Sequence, residues 1–221
     1  MSEQKLADVE GLVHPELAGV EIVDESGGDI SRSDVLLKGV LAAGAVYGTF
    51  MVAPFVRSAF ALGGGTTDIS ILNFALTLEY LESTFYEEAM KKVKASGELK
   101  QLISLLAGDE KQHVEALKGT VEKLGGKPVA KPTFNFEYSG TKGFLELAEV
   151  FENTGVSAYN GAAPMIKSKE VLGAAGSIVQ VEGRHAAAIA LQNGAEPAPA
   201  AFDPTLTEKE VLKAVEPFIA S

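Results

Sequence analysis

The chain is 221 residues long and 46% hydrophobic, with 19 basic against 30 acidic residues and a net charge of −11 when histidine is neutral. That balance argues against nucleic acid or an anionic membrane surface as the main partner, because both need clustered Lys and Arg. No cysteine is present, which excludes disulfides, thiolate metal ligands, iron–sulfur clusters and cysteine nucleophiles.

Residues 1–33 are polar and acidic, contain Gly27-Gly28-Asp29, and read as a mobile arm. Residues 34–65 are dominated by an apolar run over 39–56, between Lys38 and Arg57. This run is at the lower length limit for a membrane span and is diluted by Gly, Ala, Thr and Pro54. Ser31-Arg32-Ser33-Asp34-Val35-Leu36-Leu37-Lys38 resembles a twin-arginine export signal without its second arginine, and Ala59-Phe60-Ala61 has the small-x-small pattern of a leader cleavage site. The segment reads either as a leader or as a helix packed on the domain that follows or on a neighbouring chain. Two locations stay open: the periplasm or cell envelope, with membrane or envelope contact through residues 39–56, and the cytoplasm.

Residues 66–193 carry the helical period four times, over about 68–95, 98–124, 141–163 and 167–193. In the first segment Ile71, Phe74, Ala75, Leu78, Leu81, Phe85 and Ala89 recur at 3- and 4-residue steps. Gly97, Gly125-Gly126, Pro164 and Gly194 mark the ends. The first and second helices, and the third and fourth, are joined by only a few residues, which makes antiparallel hairpins. The link over 125–140 is long and carries Pro128 and Pro132. Two hairpins joined by one long crossover define an all-α, ferritin-like four-helix bundle. Residues 194–221 read as a Pro/Ala linker and a short amphipathic helix near 207–215, capped by Thr207 with Glu210 three residues on.

Outside the arm there are two histidines, His113 and His185, each with a glutamate three residues before it, Glu110 and Glu182. Residues i and i+3 share a helix face, so each pair can reach the same or adjacent metal ions. Glutamate occupies 23 of 221 positions, so a match at both histidines has a chance probability of about one in a hundred. The other two helices should each supply one glutamate. The candidates are Glu79, Glu82, Glu87 and Glu88 on the first, and Glu146, Glu149 and Glu152 on the third. An internal repeat chooses among them. Glu79 is followed seven residues later by Tyr86, and Glu152 seven residues later by Tyr159. Aligning these pairs sets Glu82 against Gly155 and Glu149 against Leu76, so neither of those acids is matched. The expected metal ligands are therefore Glu79, Glu110, His113, Glu152, Glu182 and His185, about a pseudo-twofold axis. Tyr86 and Tyr159 should point inward, donate to ligating carboxylates and take part in the chemistry. Four buried carboxylates are prohibitively costly if ionised and unpaired, and two divalent cations neutralise them. The donor set suits iron or manganese, with zinc as a rival.

The same residues resemble the ferritin-like superfamily of di-iron and di-manganese carboxylate proteins. Asp109-Glu110-Lys111-Gln112-His113 resembles the second-helix ligand motif of bacterioferritin and rubrerythrin, and Glu79 with Tyr86 their first-helix glutamate and inward tyrosine. Residues 71–82, Asn153-Thr154-Gly155-Val156-Ser157-Ala158-Tyr159, Val181-Glu182-Gly183-Arg184-His185-Ala186-Ala187 and the ending Ala201-Phe202-Asp203-Pro204 with Pro217-Phe218-Ile219 are similar to the ferritin-like-domain family that includes desiccation-related proteins. The resemblance implies a bundle and a dinuclear site but supplies no reaction. Val181 stands where some relatives place an aspartate matching Asp109, so it implies two unequal metal positions. Gly155 and Gly161 on the third helix and Gly173, Gly176 and Gly183 on the fourth lower helicity or allow close helix approach.

Three functions remain open from the sequence. One is an oxidoreductase acting on O2, peroxide or ferrous iron. Another is a structural or stress-protective envelope protein that assembles, as a homo-oligomer or otherwise, with metal structural or absent. The third is iron storage.

Overall fold

The computed structural model describes residues 66–220; the arm, the apolar run and the leader-like segment lie outside the described residues. Five α-helices follow in order: α1 (Thr66–Lys92), α2 (Gly97–Lys123), α3 (Gly140–Ala162), α4 (Lys169–Gln192) and α5 (Glu208–Val215). The longest, at 27 residues, span about 40 Å each. α1 and α2 form one antiparallel hairpin and α3 and α4 the other. The crossover between them contains no helix, and Pro128 and Pro132, which lack an amide donor, suit such a segment. α1 ends at Lys92, before the expected boundary. A 3-10 turn, Ala163–Met165, separates α3 from α4 at Pro164. No described helix is long and apolar enough to cross a membrane.

Each long helix turns a stripe of buried residues toward the bundle axis, and α1 is buried on a second side too, through Leu78, Leu81 and Phe85. On α1 the axial stripe is Leu72, Ala75, Leu76, Glu79, Glu82, Ser83 and Tyr86, at the 3- and 4-residue steps that return to one face. The stripes are apolar at both ends and polar in the middle. Phe85, Leu102, Leu106, Phe144, Phe151 and Ile189 pack at one end of the bundle. Leu72, Leu76, Leu117, Val121, Val171 and Ile178 pack at the other. The acids and histidines form a layer between these two apolar plugs.

Side chains fix the helix ends that set this layer. Asp68, at the start of α1, accepts from the amides of Lys167 and Ser168 at 2.9 and 3.0 Å and so anchors the turn into α4. Ser168 caps α4 by accepting from the Val171 amide. Asn73 pins the start of the crossover, donating to the Lys127 carbonyl and accepting from the Val129 amide. Gly125 and Gly194 take the left-handed conformation just past α2 and α4, with φ of +78° and +72°.

The C-terminal segment is a strap on the bundle. Thr207 and Glu210 form the expected capping box. Val211 and Val215 of α5 enter the same apolar cluster as Phe151. Beyond α5 the chain pairs with the crossover: Asn135 donates to the Phe218 carbonyl and Ala220 to that of Thr133, at 2.9 and 2.8 Å. The glycines divide into two kinds. A Cβ at Gly161 would lie 2.0 Å from the Leu206 carbonyl oxygen, so this glycine admits the strap. At Gly176 and Gly183 a Cβ would meet nothing within 4 Å, so close helix approach does not explain them.

Candidate metal centre

All six residues expected as ligands lie in the polar layer, each at most 2% exposed. They form two overlapping groups, Glu79, Glu110, His113 and Glu182 in one, and Glu110, Glu152, Glu182 and His185 in the other. Within each group, one ligand-capable atom per residue lies within 4.8 Å of all the others.

The distances explain the overlap. His113 Nδ1 is 3.2 Å from Glu79 Oε2, 3.1 Å from Glu110 Oε2 and 2.9 Å from Glu182 Oε1. His185 Nδ1 is 2.9 Å from Glu110 Oε1, 3.6 Å from Glu152 Oε2 and 3.9 Å from Glu182 Oε2. Glu110 and Glu182 thus turn one oxygen toward each histidine, while Glu79 and Glu152 serve one side each. The imidazole rings lie 6.2 Å apart and are tilted by 29°. A ring nitrogen has one proton or one lone pair, so His113 Nδ1 cannot satisfy three carboxylates. Glu110 Oε1, Glu152 Oε2, both Glu182 oxygens and His185 Nδ1 are buried and none has a partner in hydrogen-bond geometry, although Glu110 Oε1 and Glu182 Oε1 each lie 2.9 Å from an imidazole nitrogen. Buried polar atoms are rarely left so. Oxygen and imidazole donors converging on two points, with their lone pairs unused, fit two divalent cations.

The tyrosines cross between the hairpins. Tyr86 of the first donates to Glu152 of the second, and Tyr159 of the second donates to Glu79 of the first. The symmetry breaks at the outer face of the histidines. His185 Nε2 lies 3.2 Å from Asp109 Oδ2, whereas the position equivalent to Asp109 in the second hairpin is Val181, which has no side-chain acceptor.

Charge crowding in this layer moves its titrations. Burial pushes Glu79 up to about 7 from 4.5, against the pull of His113. Burial, with Glu110 and Glu79 behind it, holds Glu182 well above the ordinary carboxylate range. Burial works to raise Glu110 as well, but His113 and His185 outweigh it and hold that carboxyl well below its usual value. Burial disfavours charge on the imidazoles. The surrounding carboxylates, Glu79 and Glu110 on His113 and Glu152 on His185, nevertheless hold both well above the usual histidine value. Burial, and then the adjacent glutamate, raises both tyrosine hydroxyls, Glu152 acting on Tyr86 and Glu79 on Tyr159. Without cations the layer therefore balances its charge with protons.

Of the acids passed over in the sequence, Glu149 is on the rim, where Asn193 Nδ2 donates to it at 2.5 Å. Glu82 is different. It is 3% exposed and sits beside the cluster, where burial first and then Glu182, Glu110, Glu152 and Glu79 hold it well above the ordinary range. A Cβ at Gly155 would lie 3.1 Å from its Oε1. The repeat alignment that set Glu82 against Gly155 carried the signal: a buried acid opposite a missing side chain is complementary in volume, not unmatched.

Two helical hairpins closed around shared glutamates and histidines define a protein of the carboxylate-bundle class, compatible with a dinuclear metal site. The ferritin-like domain family model matches residues 67–195, more than half of the chain, and the chain belongs to that family. No curated protein matches it.

Proposed function

We propose that this protein is a dinuclear iron or manganese oxidoreductase acting on O2, peroxide or ferrous iron. One observation carries the reading: Glu110 and Glu182 each direct one oxygen to each histidine side of a sealed polar layer. When bound, two such ions supply two electrons, or accept two, in one encounter.

The chain's own residues hold and tune that pair. Glu110 and Glu182 would serve both ions, Glu79 and His113 would complete the set for one, and Glu152 and His185 for the other. Tyr86 and Tyr159 donate to Glu152 and Glu79 and fix which oxygen faces inward. Asp109 orients His185 alone, so the two positions differ in basicity. The apolar clusters on either side exclude bulk water and strengthen each electrostatic contact.

The experiment is to load the metal-free protein with Fe(II) or Mn(II) and follow oxygen or peroxide consumption, with Glu152→Ala beside it. Turnover in the loaded protein, lost in the variant, is the expected result. A loaded protein inert toward all three substrates would leave the metal as structural cement and overturn the redox reading.

A further inference from the structure

Aromatic rings collect on one side of the polar layer. Tyr159 belongs to a mostly aliphatic cluster with Leu72, Leu76 and Val121. Tyr86 packs instead on a stacked pair, Phe85 of α1 and Phe144 of α3, whose ring centroids lie 5.2 Å apart at 19°. Its own centroid is 5.2 Å from Phe85 and 6.1 Å from Phe144. Tyr138, two residues before α3, meets the same pair at 5.7 and 5.9 Å. The two tyrosines thus share one pair of rings. Tyr86 is fully buried and donates to Glu152, while Tyr138 is half-buried in the crossover.

Packing does not explain the Tyr138 hydroxyl. It is buried and has no partner in hydrogen-bond geometry, a condition that buried tyrosine hydroxyls rarely show. Phenylalanine would fill the same place without stranding a polar atom. Burial, and then the charge of Glu88 on α1, raises this hydroxyl. Glu88 pairs with the exposed Lys92 at 2.9 Å, at the rim of the bundle. What phenylalanine cannot do at an accessible potential is give up an electron and a proton.

We propose that Tyr138 is the outer terminus of an electron route to the cluster, running through Phe85 and Phe144 to Tyr86 and Glu152, by which a small one-electron reductant in solution supplies the interior. The inference rests on the redox reading above and adds where electrons enter. Tunnelling falls off steeply with distance, and the packed rings leave no gap along this line. With hydrogen peroxide as oxidant the balance closes. Peroxide takes two electrons and two protons and leaves as two waters. Tyr138 gives the electrons one at a time, each with its hydroxyl proton, which Glu88 receives and passes to water. The reductant returns one electron and one proton to the tyrosyl radical each time, so the protein is left unchanged.

The test uses the full chain loaded with Fe(II), mixed with hydrogen peroxide alone and frozen for electron paramagnetic resonance. Peroxide-dependent oxidation of ascorbate is followed in parallel by absorbance. The wild type, Tyr138→Phe and the control Tyr80→Phe, from the aliphatic cluster, are compared. Tyr138→Phe removes only an unpartnered hydroxyl, so the fold, and the metal content by elemental analysis, should be unchanged. The expected result is a tyrosyl radical in the wild type that is lost in Tyr138→Phe, together with the oxidation of ascorbate, and kept in Tyr80→Phe. An undiminished radical in Tyr138→Phe, or ascorbate oxidation there at the wild-type rate, would overturn the route. So would a wild type that consumes peroxide without forming the radical, an outcome that leaves the redox reading standing. A loaded wild type that consumes no peroxide would sink the redox reading itself, and the route with it.

Discussion

Removing metal should invert the pH dependence of this protein's stability. In the metal-free layer, burial carries Glu79 from 4.5 to about 7. A group whose pKa is raised on folding contributes stability that is complete below the unfolded value and is lost as pH rises through the folded one. At 1.36 kcal/mol per unit, deprotonating Glu79 withdraws about 3 kcal/mol between pH 4.5 and just above 7. Glu82, Glu182, His113 and His185 are all shifted upward and act in the same direction. Glu110 is shifted downward, but its contribution is lost only below pH 4.5, outside this window. For an ordered domain of this size, Glu79 alone corresponds to a melting temperature roughly 6–12 °C lower at pH 8 than at pH 5. Bound cations must displace the same protons, so affinity, and the stability linked to it, rises with pH. Thermal melts of chelated and metal-loaded protein at pH 5 and pH 8 should therefore cross. A chelated protein that melts higher at pH 8, or a metal-induced shift equal at both pH values, would refute the reasoning.

Other expectations follow from single contacts. Tyr159→Phe removes the donor to Glu79 Oε1. It should cost about 1–3 kcal/mol in the metal-free form by denaturant unfolding and weaken metal binding about 10–100-fold by competition with a chromophoric chelator. Glu152→Ala should lower metal content sharply by elemental analysis, whereas Glu149→Ala, on the rim with Asn193, should leave it unchanged. Gly161→Ala drives a Cβ against the Leu206 carbonyl, and should cost about 1–3 kcal/mol while speeding protease cleavage within residues 194–206. Gly176→Ala, where a Cβ meets nothing, should instead stabilise by about 0.5–1 kcal/mol on the same denaturant curve.

The bundle was legible because its signals are local. Apolar steps of three and four residues, glycines at helix ends and two short loops against one long crossover determine which helices pair. The cluster was legible because the chain repeats itself. Glu79 with Tyr86 and Glu152 with Tyr159 chose the two end glutamates over five competitors, and the structure brings all six expected residues together. Which tyrosine serves which glutamate was not legible, because the donation runs between hairpins, and a repeat within each half does not reveal a contact across the axis. Glu82 was passed over because its partner is an absence: the space at Gly155 becomes visible only when α1 and α3 are placed side by side. The strap was half legible. The cap at Thr207 is local, but the pairing of residues 133–135 with 218–220 joins segments more than eighty residues apart.

The central claim is that one carboxylate from each of α2 and α4 is shared by two cations. The direct measurement is equilibrium dialysis of chelated protein against Mn(II) or Fe(II) without oxygen, followed by elemental analysis, for the wild type and for Glu110→Gln/Glu182→Gln. The account predicts two ions per wild-type chain and none retained in the double variant. A wild type that saturates at one ion or fewer, or a double variant that still holds two, would contradict it.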